Sequence, residues 1–545
     1  MLEMLCFTQV MVLLTLAQTL GAEVQAQELI AMAEVQVLHG LHSATAGDDW
    51  AWRAPEQQLG KRWNFSTDSS GAYLHNPCSD ENQTWQGVWC SASPDACSNQ
   101  TCSVVKIDLQ GYNLHGEIPD EWGSLVQLQE ITLWQNSLSG TLPKTLSTLV
   151  NMAVINLEEN SLRGGFPVEY CRLPYLAQLR LGRNFLTGPL SPEVTGLAGL
   201  QWLSLYENLF TGPIIPEIGQ LPYMQRLYLF DNMFTGQLQP SLAQLQYLGI
   251  YAVHANFLTG TLIPELASHP YLQVLSLQEC HFTGTVPPEL SNLQSLNHLY
   301  MFLNELTGTV PASFSTMTRL LRLSISQNRL TGHLPPDMGN MVNLRYLYLY
   351  ENMFSGPIPT GLGSLTEMVL FSAYNNRLSG PLAPGFSNMT KLNRLLLQNN
   401  KLTGSINNEA AFSSNMEFLE IVDLSNNKLS GSVPKTLFSL PRVTTIALSL
   451  NCFQGNLPED MCSVRDLQVL SMDGLGAAQG CRHEYKLPIT GVAIFNTLDG
   501  TVPPCLWNLH NLTVLHLASN GLYGSIMDRG PTSHESSVMD LSLCT

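Results

Sequence analysis

The chain has 545 residues, of which only 12% are charged, and a formal net charge of −18. Such a balance disfavours nucleic acid and anionic membrane as partners, because both repel a net anion. The length exceeds what one globular core supports, so the chain must split into domains or grow along one axis.

Residues 1–22 hold the apolar run MVLLTLAQTLGA and read as a secretory signal peptide, although the start carries Glu3 and no Lys or Arg. Cleavage after Ala22 or Ala26 fits the small residues there; an apolar first helix is the alternative. No later stretch has eighteen continuous apolar residues, so none is expected to span a bilayer.

Residues 23–103 are expected to form an N-terminal cap. Gln27 to Ala46 places apolar residues at mixed three and four spacing, which predicts an amphipathic helix. Trp50, Trp52, Trp63, Trp85 and Trp89 follow, and are expected to cover the next element's apolar end rather than to cage a ligand. Cys78, Cys90, Cys97 and Cys102 suit a cap stapled by disulfides in an oxidising compartment. Cys78–Cys90 and Cys97–Cys102 are the preferred pairs, though spacing leaves three connectivities open. A zinc site is the rival, but no pair at C-x-x-C spacing is present. Asn64, Asn82, Asn99, Asn388 and Asn511 each head an N-x-S/T sequon and are candidate glycosylation sites.

Residues 104–545 repeat. From Asn136, steps of twenty-four reach Asn160, Asn184, Asn208, Asn232, Asn256, Cys280, Asn304, Asn328, Asn352, Asn376 and Asn400, with Tyr112 one step before. The frame is seen in LRYLYLYENMFSGPIP, residues 344–359. A fixed period of this length means a solenoid. The L-x-L core alternates as a short half-buried strand does. The Asn amide can then satisfy backbone groups that would otherwise be buried unpaired, and Cys280 keeps only a weak donor there. Gly permits a tight path and Pro ends the ladder. A single coil cannot fold alone; stacking must supply its core.

These residues resemble the plant-type leucine-rich repeat, LxxLxLxxNxLxGxIP, over about four fifths of the chain. The segments LHGLHSATAGDDW and WQGVWC likewise resemble the cap that precedes such repeats. The resemblance implies an α/β solenoid: a leucine-rich-repeat superhelix with a concave parallel β-sheet, 24-residue repeats and a disulfide-stapled N-terminal cap. Receptor ectodomains and polygalacturonase-inhibiting proteins are the relatives it points to.

Asn427 comes twenty-seven after Asn400, so NNEAAFSSNMEF carries three extra residues. Asn451 restores the period, and Asn496 follows forty-five later, which places an insertion near 474–495. Cys481 sits in it, flanked by Cys452, Cys462 and Cys505, and all four are expected to pin the excursion through disulfides. Cys171 and Cys280 look unpaired. After Asn520, counting on reaches Cys544, with Met539 and Leu541 in the two strand slots, in a last coil of about 17 that looks incomplete.

Outward strand positions lie six, four and two before the Asn. The column two before it runs Trp134, Glu158, Gly182, Tyr206, Phe230, His254, Gln278, Phe302, Ser326, Tyr350, Tyr374, and neighbouring columns add Trp202, Tyr228, His298, Tyr300, Tyr346 and Tyr348. Glu159, Glu207, Asp231, Glu279 and Glu351 form an acidic rim one position before the Asn. The aromatic members are the expected ligand-binding residues, since exposed Tyr and Trp give contact area with few torsions to freeze; mutual stacking that merely stabilises the sheet is the alternative.

No G-x-S-x-G, H-E-x-x-H or phosphate-loop motif is present. Neither catalysis, a metal nor a small-molecule cofactor is expected. The expected role is an extracellular or cell-surface recognition module for a protein, peptide or glycan, with a possible co-receptor. The alternatives are the sensor ectodomain of a receptor kinase whose membrane and kinase parts lie beyond Thr545, and a structural wall or matrix adhesin.

Overall fold

In the computed structural model, residues 33–52, 61–70, 72–78, 84–93, 97, 102–382, 385–406, 411–474, 498–523 and 540–542 are described. The expected signal peptide, the sequons at Asn82 and Asn99, and Cys481 lie outside them. The chain divides into two compact units, Met1–Phe257 and Leu258–Thr545.

The first unit begins with a helix over 33–44. Glu34 on it is buried, and its Oε2 accepts a hydrogen bond from the Val104 backbone N–H at 3.1 Å, tying helix to first strand. Trp50, Trp63 and Trp85 pack behind it at 7% exposure or less, with Trp63 and Trp85 stacked 5.7 Å apart. Trp52 is half-buried against Tyr112, the residue in the first Asn slot. Trp89 departs from the expected lid: it is 45% exposed. It is the middle residue of the strand Val88–Cys90, where alternation turns it outward, and the Lys106 ammonium sits 5.0 Å from its ring. Disulfides join Cys78 to Cys90 and Cys97 to Cys102.

Val88–Cys90 pairs antiparallel with Val104–Asp108, and from there the strands run parallel. They are Glu130–Thr132, Val154–Asn156, Gln178–Arg180, Trp202–Ser204, Arg226–Tyr228 and Ile250–Ala252, each pairing with the residue twenty-four positions on. The leucines of the frame point inward; Leu179, Leu181, Leu203, Leu205, Leu227 and Leu229 are wholly buried. Past each Asn a second short strand follows, such as Leu209–Pro213 beside Met233–Gly236, and then a five-residue 3-10 helix such as Pro216–Gln220. The flank is therefore built of single 3-10 turns, because the I-P-x-x-x-x-x-L spacing leaves no room for α-helix.

Each Asn works on the coil before its own. Asn208 Nδ2 donates to the carbonyls of Leu181, Leu205 and Tyr206, while its Oδ1 accepts from the Leu186 N–H. Asn160, Asn184, Asn232 and Asn256 repeat this pattern. The residue just before the Asn takes a left-handed backbone, with φ of 53° at Glu159 and 48° at Glu207. The frame did not announce that conformation.

In the second unit the strands run from Val274–Ser276 through His298–Tyr300, Arg322–Ser324, Tyr346–Tyr348, Leu370–Ser372 and Arg394–Leu396, again in steps of twenty-four. Arg394 pairs with Ile421, a step of twenty-seven, as the three extra residues require. Val469 pairs with Val514, a step of forty-five, so the insertion lies between Gly474 and Leu498 without shifting the strand register. Cys462 and Cys505 form a disulfide, and Cys452 is disulfide-bonded too. Cys171 in the first unit and Cys280 in the second are buried and outside any disulfide.

The last strand corrects the count. Leu541 pairs with Leu515, not Leu517, so this coil is two residues longer than the frame and Met539 falls before the strand. Its connector, MDRGPTSHESS, lacks the leucine that fixes length in other coils.

Candidate functional site: aromatic and arginine clusters on the strand face

The expected binding residues gather into one cluster in each unit. In the first unit, Trp202 lies between two guanidinium groups, with Arg180 at 4.1 Å and Arg226 at 4.6 Å from its ring. Strand pairing dictates this, since Arg226 and Trp202 are direct cross-strand partners. Arg180 is anchored from behind by Glu158, whose Oε2 accepts from Nε at 3.1 Å and Nη2 at 2.5 Å, and whose Oε1 accepts from Ser204 Oγ. The Glu158 side chain is only 4% exposed, so its charge is held by the arginine and hydroxyl that face it. Trp202 Nε1 is buried with no hydrogen-bond partner among the described residues.

Beside this clamp stands a ladder of rings. Tyr206 stacks on Phe230 at 4.7 Å and 14°, and Phe230 on His254 at 4.4 Å and 9°. Tyr228 meets Phe230 edge-on at 6.2 Å and Trp202 at 6.1 Å. Burial lowers the His254 imidazole to about 4 and, with help from Glu158 and Glu159, raises the Tyr206 phenol to about 12. The acidic rim is broken here: Arg183 bridges Glu159 and Glu207 at 3.1 and 2.7 Å. Glu158 and Glu159 thus have separate partners on separate faces.

In the second unit the centre is Arg322, half-buried, 4.4 Å from the Tyr346 ring and 6.0 Å from those of Tyr300 and Tyr348. Its Nε and the His298 Nδ1 are both buried without a hydrogen-bond partner among the described residues. Burial and the Arg322 charge together lower the His298 imidazole. Tyr350 stacks on Tyr374 at 4.6 Å and 6°, with Tyr348 edge-on to Tyr350 at 6.5 Å. Trp134 and Phe302 are half-buried but join neither cluster.

The aromatic columns were legible in the sequence; the arginines were passed over. Arg180, Arg226 and Arg322 occupy outward slots of the same frame, so reading those columns for charge as well as for rings would have found them. Asn64, Asn388 and Asn511 are exposed, the Asn64 amide meeting His75 and the Asn511 amide donating to the Arg465 carbonyl.

In-register strands, a second short strand, a 3-10 flank and an asparagine ladder define a leucine-rich-repeat solenoid. The family model described as Leucine Rich Repeat matches residues 271–293, 319–341, 343–365 and 418–440. Those four stretches are leucine-rich repeats, and their frame is of the plant type. Among solved structures it is similar to the plant peptide hormone receptor RGFR1, solved in complex with RGF2, at 29% identity and a TM-score of 0.68 over 75% of this chain and 62% of that one. The TDR receptor is 29% identical, with a TM-score of 0.64, over 80% of this chain and 83% of that one. The Arabidopsis receptor kinase HAESA, solved with the peptide hormone IDA and the co-receptor SERK1, is 25% identical, with a TM-score of 0.69, over 90% and 87%. The chain spans 62% of the RGFR1 structure and 59% of the Arabidopsis GASSHO1/SCHENGEN3 ectodomain. No curated protein matches the sequence. Among the described residues, no helix is long and apolar enough to cross a membrane.

Proposed function

We propose that this chain is an extracellular ligand-binding ectodomain that takes an extended peptide, or a peptide-like segment of a protein, on its strand face. Residues 1–22 serve as its secretory leader, and the cap and repeats form the exported part. The observation that carries the reading is the Arg322 guanidinium, ringed by Tyr300, Tyr346 and Tyr348 with its Nε unpaired among the described residues. A buried donor without an acceptor is costly, and a peptide carbonyl or carboxylate would satisfy it. Resemblance to ectodomains solved with peptide hormones supports the same class of ligand and a co-receptor. This class of ectodomain binds rather than catalyses.

A glycan on this face is the weaker reading. The rings stack on one another at 4.4–4.7 Å, so the flat faces a sugar would use are already covered. Whether the role is that of a receptor-kinase sensor, an inhibitor of wall proteins or an adhesin turns on the partner. The test is capture of peptides and proteins from extracellular extracts by the full chain, the Tyr348→Ala/Tyr350→Ala double variant and Arg322→Gln. The reading expects a retained partner that both variants lose while melting like the parent. Retention unchanged in both variants would sink it.

A further inference from the structure

Over residues 178–398 the strand face is charged oppositely to the chain as a whole. The protein has 43 Asp and Glu against 25 Lys and Arg. Yet in this stretch the outward strand slots, six, four and two before the Asn position, hold Arg180, Arg226, Arg322 and Arg394 and no Asp or Glu. The acids of the same coils lie elsewhere, on the rim as Glu207, Asp231 and Glu279 do, or on the 3-10 flank as Glu193 and Glu217 do.

In each unit one of these arginines has no acid to answer it. In the first, Arg180 is bonded to Glu158, which leaves Arg226. The cross-strand partners of Arg226 are Trp202 and Ile250, and no carboxylate reaches it among the described residues. In the second unit Arg322 is paired across the sheet with His298 and Tyr346, and among the described residues no carboxylate reaches it either. Off the strand face the chain does supply counter-ions: Arg183 lies between Glu159 and Glu207, Arg329 meets Glu305 at 3.1 Å, and Arg345 and Lys391 share Glu367.

An aromatic ring fixes a guanidinium without cancelling its charge. Arg226 sits 4.6 Å over Trp202 and Arg322 4.4 Å over Tyr346. A planar cation held in this way is ready to give two parallel N–H bonds to a planar oxyanion. The anion has one side from which to come. Arg226 and Asp231 belong to one coil, and five residues of extended chain set them roughly 16 Å apart. The face is thus cationic where its strands begin and acidic where they end. A uronate polymer, charged on every ring, would bring carboxylates against the acidic rim as well. An extended peptide sends successive side chains to opposite sides, so it can turn acids toward the arginines and uncharged or basic residues toward the rim.

We propose that the ligand of the strand face is an acidic peptide segment, with side-chain carboxylates of Asp or Glu bonded to Arg226 in the first unit and to Arg322 in the second. This rests on the peptide-binding reading and adds the ligand's charge to it.

Fluorescence anisotropy of the full chain tests this with a C-terminally amidated peptide of alternating Glu and Thr, its Gln–Thr and Lys–Thr counterparts, and the same peptides with a free carboxyl terminus. The amidated Glu peptide is expected to bind, less tightly as salt rises, and the Gln and Lys peptides at least about tenfold more weakly. Arg226→Gln and Arg322→Gln should each lower affinity for the Glu peptide at least about tenfold. Arg226→Lys should recover only part of that, since an ammonium lacks the planar fork. Arg319→Gln, the same loss of charge at an exposed residue off the face, should leave binding unchanged. Melting curves matching the parent establish that the variants are folded. No binding of the Glu peptide, equal binding of its Gln counterpart, binding only with a free carboxyl terminus, equal loss in Arg319→Gln, or displacement of the Glu peptide by polygalacturonate would each overturn the proposal. A partner captured from extracts that Tyr348→Ala/Tyr350→Ala loses and Arg226→Gln keeps would overturn it too, with the peptide-binding reading left standing. Failure of that reading shows instead as a partner kept by every variant.

Discussion

The ring of Tyr206 lies across Gly182, so close that a Cβ built on the glycine would come 2.4 Å from ring carbon Cε1. Glycine at 182 is therefore what lets the Tyr206, Phe230 and His254 stack begin. Gly182→Ala should push the tyrosine off Phe230 and cost about 1 kcal/mol, the worth of one stacked pair. Urea unfolding and near-ultraviolet circular dichroism of the variant check both effects; an unchanged aromatic spectrum would count against the packing described.

Asn208 satisfies four backbone groups, Leu181 O, Leu205 O, Tyr206 O and Leu186 N. Asn208→Leu should leave the Leu186 N–H buried and unpaired, while the three carbonyls keep Asn184, Asn232 and the Arg183 N–H as donors, at a cost of about 1–3 kcal/mol. Asn208→Cys should cost less, since a thiol keeps one weak donor and the second unit carries Cys280 in the equivalent slot. Denaturant midpoints of the two variants give the order.

Two buried pH-sensitive groups of the first unit, Glu34 and His254, act in opposite directions. Burial raises Glu34 from 4.5 to about 7, so its contribution is complete below pH 4.5 and is lost as pH rises through 7. Burial lowers His254 from 6.5 to about 4, so its contribution is present above pH 6.5 and is lost as pH falls through 4. Glu34→Gln should flatten the first slope and His254→Phe the second, measured as melting temperature from pH 4 to 8.

The disulfides should differ in worth by the loops they close. Cys462–Cys505 spans 43 residues and Cys97–Cys102 only 5. Loop-closure entropy makes the longer one worth about 2 kcal/mol more. Serine replacement of each pair, followed by equilibrium unfolding, measures the difference.

Strand positions and inward leucines could be read from the sequence because a fixed period leaves one register for every coil. Leu541 shows where that fails: without a leucine in its connector, the last coil's length had no marker, and the count ran two residues short. The left-handed residue before each Asn escaped notice for a different reason. Glu159, Ala255, Leu303 and Gln327 share that backbone without sharing any chemistry, so the next coil's hydrogen bonds, not side-chain preference, hold them there. The clusters were half-visible: Trp202 and Tyr346 stand out as large rings in outward slots, whereas Arg180 and Arg322 look like ordinary surface charge until strand pairing sets them over those rings.

The asparagine ladder also gives assembly a direction. Because Asn184 closes bonds on the carbonyl of Leu157 and the N–H of Leu162, in the coil before its own, a turn of the spiral is finished only when its successor arrives. A polypeptide leaving the ribosome amino end first therefore meets its partners in the order in which they are made. The helix carrying Glu34 is there to start the series.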